Sequence, residues 1–179
     1  MSEFRFAAVI SHPIQHYSPV FRALATVPGL AVKAFYFCDH GVRESFDPGF
    51  GQAFNWDAPL LDGYDHEFLR PGYSPPSFGF REVDSPDLTH RLDEYRPHAL
   101  WVHGYGQGIS WRAVRWANRN GAAVLYFGDS ELVHDRSPLA RMLKRLALPA
   151  FFRRCDAFIT IGDNNEAYLL QQGASNSAL

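Results

Sequence analysis

Five short apolar runs, set apart by helical patterns, constrain this chain more than any other feature. They are Phe4-Arg5-Phe6-Ala7-Ala8-Val9-Ile10, Ala31 to Phe37, Ala99 to Val102, Ala122 to Phe127 and Ala157 to Ile161. Apart from Arg5, Lys33 and Thr160 they lack the polar positions of a strand with one wet face. Strands apolar on both sides belong to parallel sheets covered twice by helices. The helical patterns run from about Ser18 to Val27, from Ser85-Pro86 to near Tyr95, and from Gly108 to Asn120, with Pro28-Gly29 and Gly121 as stops. On the last, Arg112, Arg115 and Arg119 share one face, and Trp111 and Val114 lie toward the other. Ser137-Pro138 opens a further helix that Pro149 must kink or split. Asp163-Asn164-Asn165-Glu166 reads as an N-cap with an acid three residues on, and Gly173 as that helix's stop. The alternation predicts an α/β fold with a parallel sheet. From Cys38 to Pro76 the periodicity fades into a long loop with short strands near Phe54–Trp56 and His66–Leu69. Loops of that length are usually functional.

Among 179 residues, 46% are apolar and 15% aromatic. That is enough for one sizeable core without disulfides or metals, and it excludes a disordered chain. The two cysteines, Cys38 and Cys155, rule out a disulfide scaffold and read as buried free thiols beside strands. The longest apolar run, Leu146 to Phe152, is far shorter than the roughly 20 residues that span a bilayer. Met1-Ser2-Glu3-Phe4-Arg5 leads into no signal-peptide core, so the expected location is the cytoplasm.

Charge is unevenly spread. Residues 39–94 hold twelve acids and four arginines, whereas residues 95–154 hold ten bases and three acids. Between Arg136 and Arg154 lie six bases and no acid, interleaved with Leu, Met and Phe. Such a helix either exposes a solvated basic face or rests peripherally on an anionic membrane surface. No nucleic-acid motif accompanies it, and a nucleic-acid partner is not expected.

In parallel sheets ligands bind beyond the carboxyl ends of the strands. After the first strand comes Ser11-His12-Pro13-Ile14-Gln15-His16, where His12, Gln15 and His16 are candidates to bond a polar ligand. No Glu follows the first histidine as a zinc helix requires, so no metal is expected there. After the strand ending at Val102 comes His103-Gly104-Tyr105-Gly106-Gln107-Gly108. Its glycines, Gly104 and Gly106 foremost, let backbone approach a ligand at a helix N-terminus, where anions are favoured. It is not a dinucleotide fingerprint. Gly128-Asp129-Ser130-Glu131-Leu132 looks like the first block of the GDSL hydrolases. A serine nucleophile needs a histidine base held by an acid, however, and only His134 follows.

Several stretches occur in one order: the strand leading into Ser11-His12-Pro13-Ile14-Gln15-His16, Asp47-Pro48-Gly49-Phe50-Gly51, Trp56-Asp57-Ala58-Pro59-Leu60-Leu61-Asp62-Gly63-Tyr64, Trp101-Val102-His103-Gly104-Tyr105, Phe152-Arg153-Arg154-Cys155-Asp156-Ala157-Phe158 and Ile161-Gly162-Asp163-Asn164-Asn165. Together they resemble the N-terminal domain of the group 1 (family 4) retaining glycosyltransferases of the GT-B fold, from about residue 5 to 173. The resemblance implies a Rossmann-like domain over 1–173 that receives the acceptor, with 174–179 a tail or the start of the linker to a C-terminal domain that holds a nucleotide-sugar donor. It implies no cofactor, and as partners a nucleotide-sugar, a glycan or lipid-linked acceptor and that second domain. His103 matches the family histidine that reaches the transferred sugar, so its implied role is to position the sugar and steady charge, without nucleophilic attack. Tyr105, Glu131 and Arg136 join the acceptor-side candidates. The first loop has Pro13-Ile14-Gln15 where the family often has a Gly-Gly pair near the donor diphosphate. The alternatives are a non-catalytic ligand-binding or regulatory module, a sugar epimerase sharing the two-domain fold and, more distantly, an ester hydrolase using Ser130.

Overall fold

A computed structural model of the protein describes residues 3–42, 45–47, 52–54, 58–130 and 147–179, with the backbone alone at 45–47, 52–54 and 176. The elements are β1 (Phe4–Ile10), α1 (Ser18–Ala25), β2 (Leu30–Tyr36), β3 (Ser45–Asp47), β4 (Gln52–Phe54), β5 (Asp65–Phe68), α2 (Asp87–Tyr95), β6 (Ala99–His103), α3 (Gly108–Asn120), β7 (Ala123–Phe127), α4 (147–152), β8 (Ala157–Ile159) and α5 (Asp163–Gln171). Six strands form one sheet in the order β5-β2-β1-β6-β7-β8, and every pairing in it is parallel. The expected Rossmann-like α/β fold is therefore present. The added feature is a small antiparallel hairpin, β3 with β4. It replaces the single strand anticipated near Phe54–Trp56.

Alternate residues of β1 divide the core between the two faces, as the period of a strand requires. Ala8 and Ile10 pack with Phe21 of α1, Val32, Ala34, Tyr36, Trp101 and Phe127. Ala7 and Val9 face the opposite way, into the larger cluster built with Leu88 and Leu92 of α2 and Ile109, Ala113, Trp116 and Ala117 of α3. Both layers exclude water, which is why these strands read as near-continuous apolar runs. The chain leaves β1 toward β2 through α1 and leaves β6 toward β7 through α3. Right-handed crossovers in opposite directions place those helices on opposite faces. The loops after β1 and β6, adjacent strands, consequently diverge, which is where sheets of this kind form a ligand crevice at their carboxyl ends.

The aperiodic stretch returning to the sheet is held by polar clasps that leave no periodic trace. The Arg22 guanidinium of α1 donates to the carbonyls of Asp62 and Pro59 at 3.0 and 2.8 Å. The buried hydroxyls of Tyr36 and Tyr64 lie 2.7 Å apart, and Tyr64 donates to the Leu60 carbonyl. Asp39, buried at the end of β2, accepts from the Gly72 N–H at 2.9 Å. Cys38 is buried and Cys155 partly so, and both are free thiols. Burial pushes both above the usual thiol range, Cys155 to about 12.

Three local expectations need correction. Pro86, not Ser85, stands at the N-cap of α2; Ser85 instead donates to Asp87 at 3.4 Å. Gly162, with φ at +139°, is the N-cap of α5, so Asp163 lies inside the helix and forms no capping box. The last strand stops at Ile159, and Ile161 is exposed. Gly173, with φ at +98°, does follow the end of α5, and the next N–H, of Ala174, returns to the Leu169 carbonyl at 2.9 Å. The opening of the basic helix at Ser137-Pro138 lies outside the described residues. Among the described residues no helix is long and apolar enough to cross a membrane.

Candidate functional site

At the mouth of the crevice, His103 ends β6 and Tyr17 closes the turn that enters α1. The Tyr17 hydroxyl and His103 Nε2 are 3.0 Å apart. Tyr17 packs on Trp101, His103 and Phe127, with ring centroids 5.9, 5.2 and 5.3 Å away. The Phe127 ring lies 5.7 Å from that of His103. The imidazole is thereby wedged between aromatic rings, and its backbone carbonyl accepts from the Ser110 hydroxyl of α3 at 3.1 Å. Ring position and strand end are thus fixed by separate elements.

Burial lowers the His103 pKa below its ordinary 6.5, against a smaller opposing pull from the Asp129 carboxylate. Burial, then the same carboxylate, raises the Tyr17 phenol to about 12. At neutral pH the pair is therefore a neutral imidazole and a protonated phenol. The Tyr17 hydroxyl either donates to bare Nε2, leaving Nδ1–H as a donor, or accepts from Nε2–H, leaving Nδ1 as an acceptor. Either way one ring nitrogen of His103 is committed to Tyr17, and the other has no hydrogen-bond partner among the described residues.

A lowered histidine pKa also makes a stability statement. The unfolded chain takes up a proton on His103 near 6.5, while the native state resists it until lower pH. The contribution is complete above 6.5 and is lost as pH falls toward the native value. Thermal melts from pH 7.5 to 5 should therefore show a shallower acid-side decline for His103→Gln than for the parent. Parallel curves would refute this.

Other candidates sit around the same mouth with different surroundings. His12 Nδ1 is 2.9 Å from the Ser11 hydroxyl, and its ring packs on those of His40 and Phe78 with centroids 5.2 and 4.7 Å away. This is a half-buried aromatic wall joining the loops after β1 and β2. Gln15 is half-buried and His16 exposed, and neither has a hydrogen-bond partner among the described residues. No group of three or more His, Cys, Asp or Glu side chains that could hold a metal gathers among them. Glu131 and Arg136 lie outside the described residues, as does His134.

The glycine-rich loop departs from expectation in one respect. A Cβ on Gly104 or Gly106 would meet nothing within 4 Å, so there is open space for a ligand against the backbone. The N-terminus of α3 is not open, however. The N–H groups of Gly108 and Ile109 donate to the carbonyls of Phe80 and Val83 at 2.9 and 3.0 Å. A Cβ on Gly108 would lie 2.7 Å from that Phe80 oxygen. Arg112 locks the same segment, with Nε and Nη2 on the two Asp84 oxygens at 2.8 and 2.6 Å. The amides expected to favour an anion are thus spent on the chain's own carbonyls. Tyr105 faces away toward α5, its hydroxyl 2.5 Å from that of Tyr168, and its carbonyl accepts from the Trp111 indole at 2.8 Å. Gln107 Oε1 is buried in this loop with no donor among the described residues. Ser130 donates to the Tyr105 hydroxyl at 3.4 Å, and no described histidine is bonded to it.

Residue reading missed three members of this arrangement. Tyr17 carries no motif signal and gains its role only because α1 packs over β6. Asp129 acts through its charge on the Tyr17–His103 pair. Asn165, read as part of a cap, is 1% exposed, and its amide donates to the carbonyls of Gly128 and Ser130, both at 2.8 Å. It ties the loop after β7, with Asp129, to α5.

No protein-family model and no curated protein matches the sequence. Solved structures do match. Among them is a protein of Listeria monocytogenes assigned as a UDP-N-acetylglucosamine 2-epimerase, with a TM-score of 0.60 and 13% identity. The alignment covers 99% of this chain but 44% of that one, so the chain spans less than half the length of the structure it matches. At that identity the likeness concerns fold alone: the chain has the Rossmann-like α/β architecture of one half of a GT-B-type fold.

Proposed function

We propose that this chain is the acceptor-side half of a two-domain GT-B enzyme, a glycosyltransferase that moves a sugar from a nucleotide-sugar to a glycan or lipid-linked acceptor with retention of configuration. The observation that carries the reading is the neutral His103, held by Tyr17 at the carboxyl end of β6 beside β1. A histidine kept uncharged, with one nitrogen tied down, suits hydrogen bonding to a sugar hydroxyl better than proton transfer or nucleophilic attack. The sequence motifs around His12, His103 and Asn165, in family order, support the same reading. In this proposal residues 1–173 form the domain and 174–179 begin the linker. The second domain supplies the donor-diphosphate contacts, which fits the α3 amides being engaged internally.

A sugar-nucleotide epimerase is the second reading, favoured by the structural likeness to the Listeria protein. It too needs the other half of the cleft. A stand-alone binding module is the outcome if no second domain is required. Isothermal titration with UDP, GDP and UDP-sugars separates these. The chain alone should not bind, while the chain extended through any sequence that follows Leu179 in its gene should. Nucleotide binding by the short chain itself would overturn this division of labour. With the extended protein, sugar transfer to an added acceptor against change of configuration at C2 of the unreacted donor tells transferase from epimerase.

A further inference from the structure

On the flank formed by α3 and α4, away from the crevice, three arginines ring a groove whose floor is apolar. The cavity measures about 510 Å³, with Trp111, Val114 and Phe151 along the floor and Arg115, Arg119 and Arg154 on the rim. From Trp111 to Arg119 it follows α3 for roughly 12 Å at the helical rise. Arg115 and Arg119 are one turn apart and project from the same face. Arg154 reaches in from the end of α4. Its carbonyl accepts from the Asn118 amide at 3.0 Å, and its guanidinium donates to the Ala150 carbonyl. All three side chains are exposed, and among the described residues none has an ion-pair partner. No acid is among the described residues that line the groove.

Unpaired like charges one helical turn apart destabilise a helix unless an anion sits between them. Guanidinium groups match phosphate with paired N–H donors. A free phosphate would use the rim and leave the aromatic floor wet. A phospholipid carries both chemistries in one molecule, a phosphate for the rim and a glycerol-acyl region for the floor, and tryptophan favours that boundary. The sequence points the same way, since from Arg136 to Arg154 it carries six bases and no acid. We propose that the α3–α4 groove docks the domain on a bilayer containing anionic phospholipid, with lipid phosphate between Arg115, Arg119 and Arg154.

Sedimentation with neutral phosphatidylcholine vesicles and with vesicles containing 30% phosphatidylglycerol tests this. The parent should bind the anionic vesicles and leave the neutral ones. Each basic residue at an anionic surface strengthens partitioning about five-fold, so the Arg115→Ala/Arg119→Ala double variant should bind roughly 25-fold more weakly at an unchanged melting temperature. Arg115→Gln/Arg119→Gln serves as a second variant that keeps the side-chain stems. Equal binding of the parent to both vesicles, or to neither, would overturn the proposal. So would a folded double variant that binds like the parent, which would place the contact in the Arg136–Arg145 run. Saturable binding of inorganic phosphate with no vesicle binding would make the groove a small-anion site and also overturn it.

Discussion

An Asn165→Ala variant is expected to melt roughly 6–12 °C below the parent chain. The side chain is 1% exposed and makes three contacts, two donated to the carbonyls of Gly128 and Ser130 and one accepted from the Ile161 N–H at 3.4 Å. Alanine cannot replace any of them. A buried polar group left without its partner costs about 1–3 kcal/mol, so losing both carbonyl bonds amounts to about 3 kcal/mol. In a domain of this size each kcal/mol shifts the midpoint by roughly 2–4 °C. Asn165→Asp should do no better, because a carboxylate cannot donate to either carbonyl and would place a charge in a buried site. Circular dichroism melts at pH 7.5 check both, and a midpoint unchanged within 2 °C for the alanine variant would remove Asn165 as the clasp. The consequence reaches the cleft. Once the clasp is lost the loop after β7 is no longer tied to α5, and Asp129 no longer holds its place relative to His103 and Tyr17.

Replacing His103 with alanine should lower donor turnover in the two-domain protein by about 100-fold, near the effect of deleting one preorganised donor at a reacting centre. The readout is release of nucleoside diphosphate, with an acceptor or with water taking its place. The effect should fall on kcat more than on KM if the contact strengthens as charge develops in the transition state. Gln at this position keeps one hydrogen-bonding group and should recover part of the rate. Tyr17→Phe, which leaves the ring packing but not the hydroxyl, should lose less than His103→Ala because Tyr17 only positions the imidazole. Full activity of His103→Ala would sink the proposed role of this residue, and with it the main physical support for the transferase reading.

Much of the architecture was legible in the residues because water exclusion leaves a local mark. β1, β2, β6 and β7 are buried on both faces and therefore read as apolar runs, and α3 was delimited at Gly108 and Asn120 by its amphipathic pattern and Gly121. The candidate loops followed from the same logic, since a parallel sheet exposes its carboxyl ends. Where the stabilising contacts are polar and distant, no such mark exists. The hairpin of β3 and β4, the Arg22 clasp and the capping of α3 by Phe80 and Val83 join residues with no local periodicity between them.

The sequence by itself determined that this is an α/β domain, which strands are doubly covered, and that His103 stands at the mouth of one of them. Those properties depend on spacing and hydrophobicity along the chain, and both are local. Only the tertiary structure decided that β1 and β6 are neighbours, that Tyr17 occupies one nitrogen of His103 and that Asn165 secures the loop bearing Asp129. It also decided that the N-terminus of α3 is closed and that Arg115, Arg119 and Arg154 meet over an apolar floor. Each of these is a contact between residues many positions apart. Their energies come from burial and hydrogen-bond geometry, which exist only after the sheet has assembled.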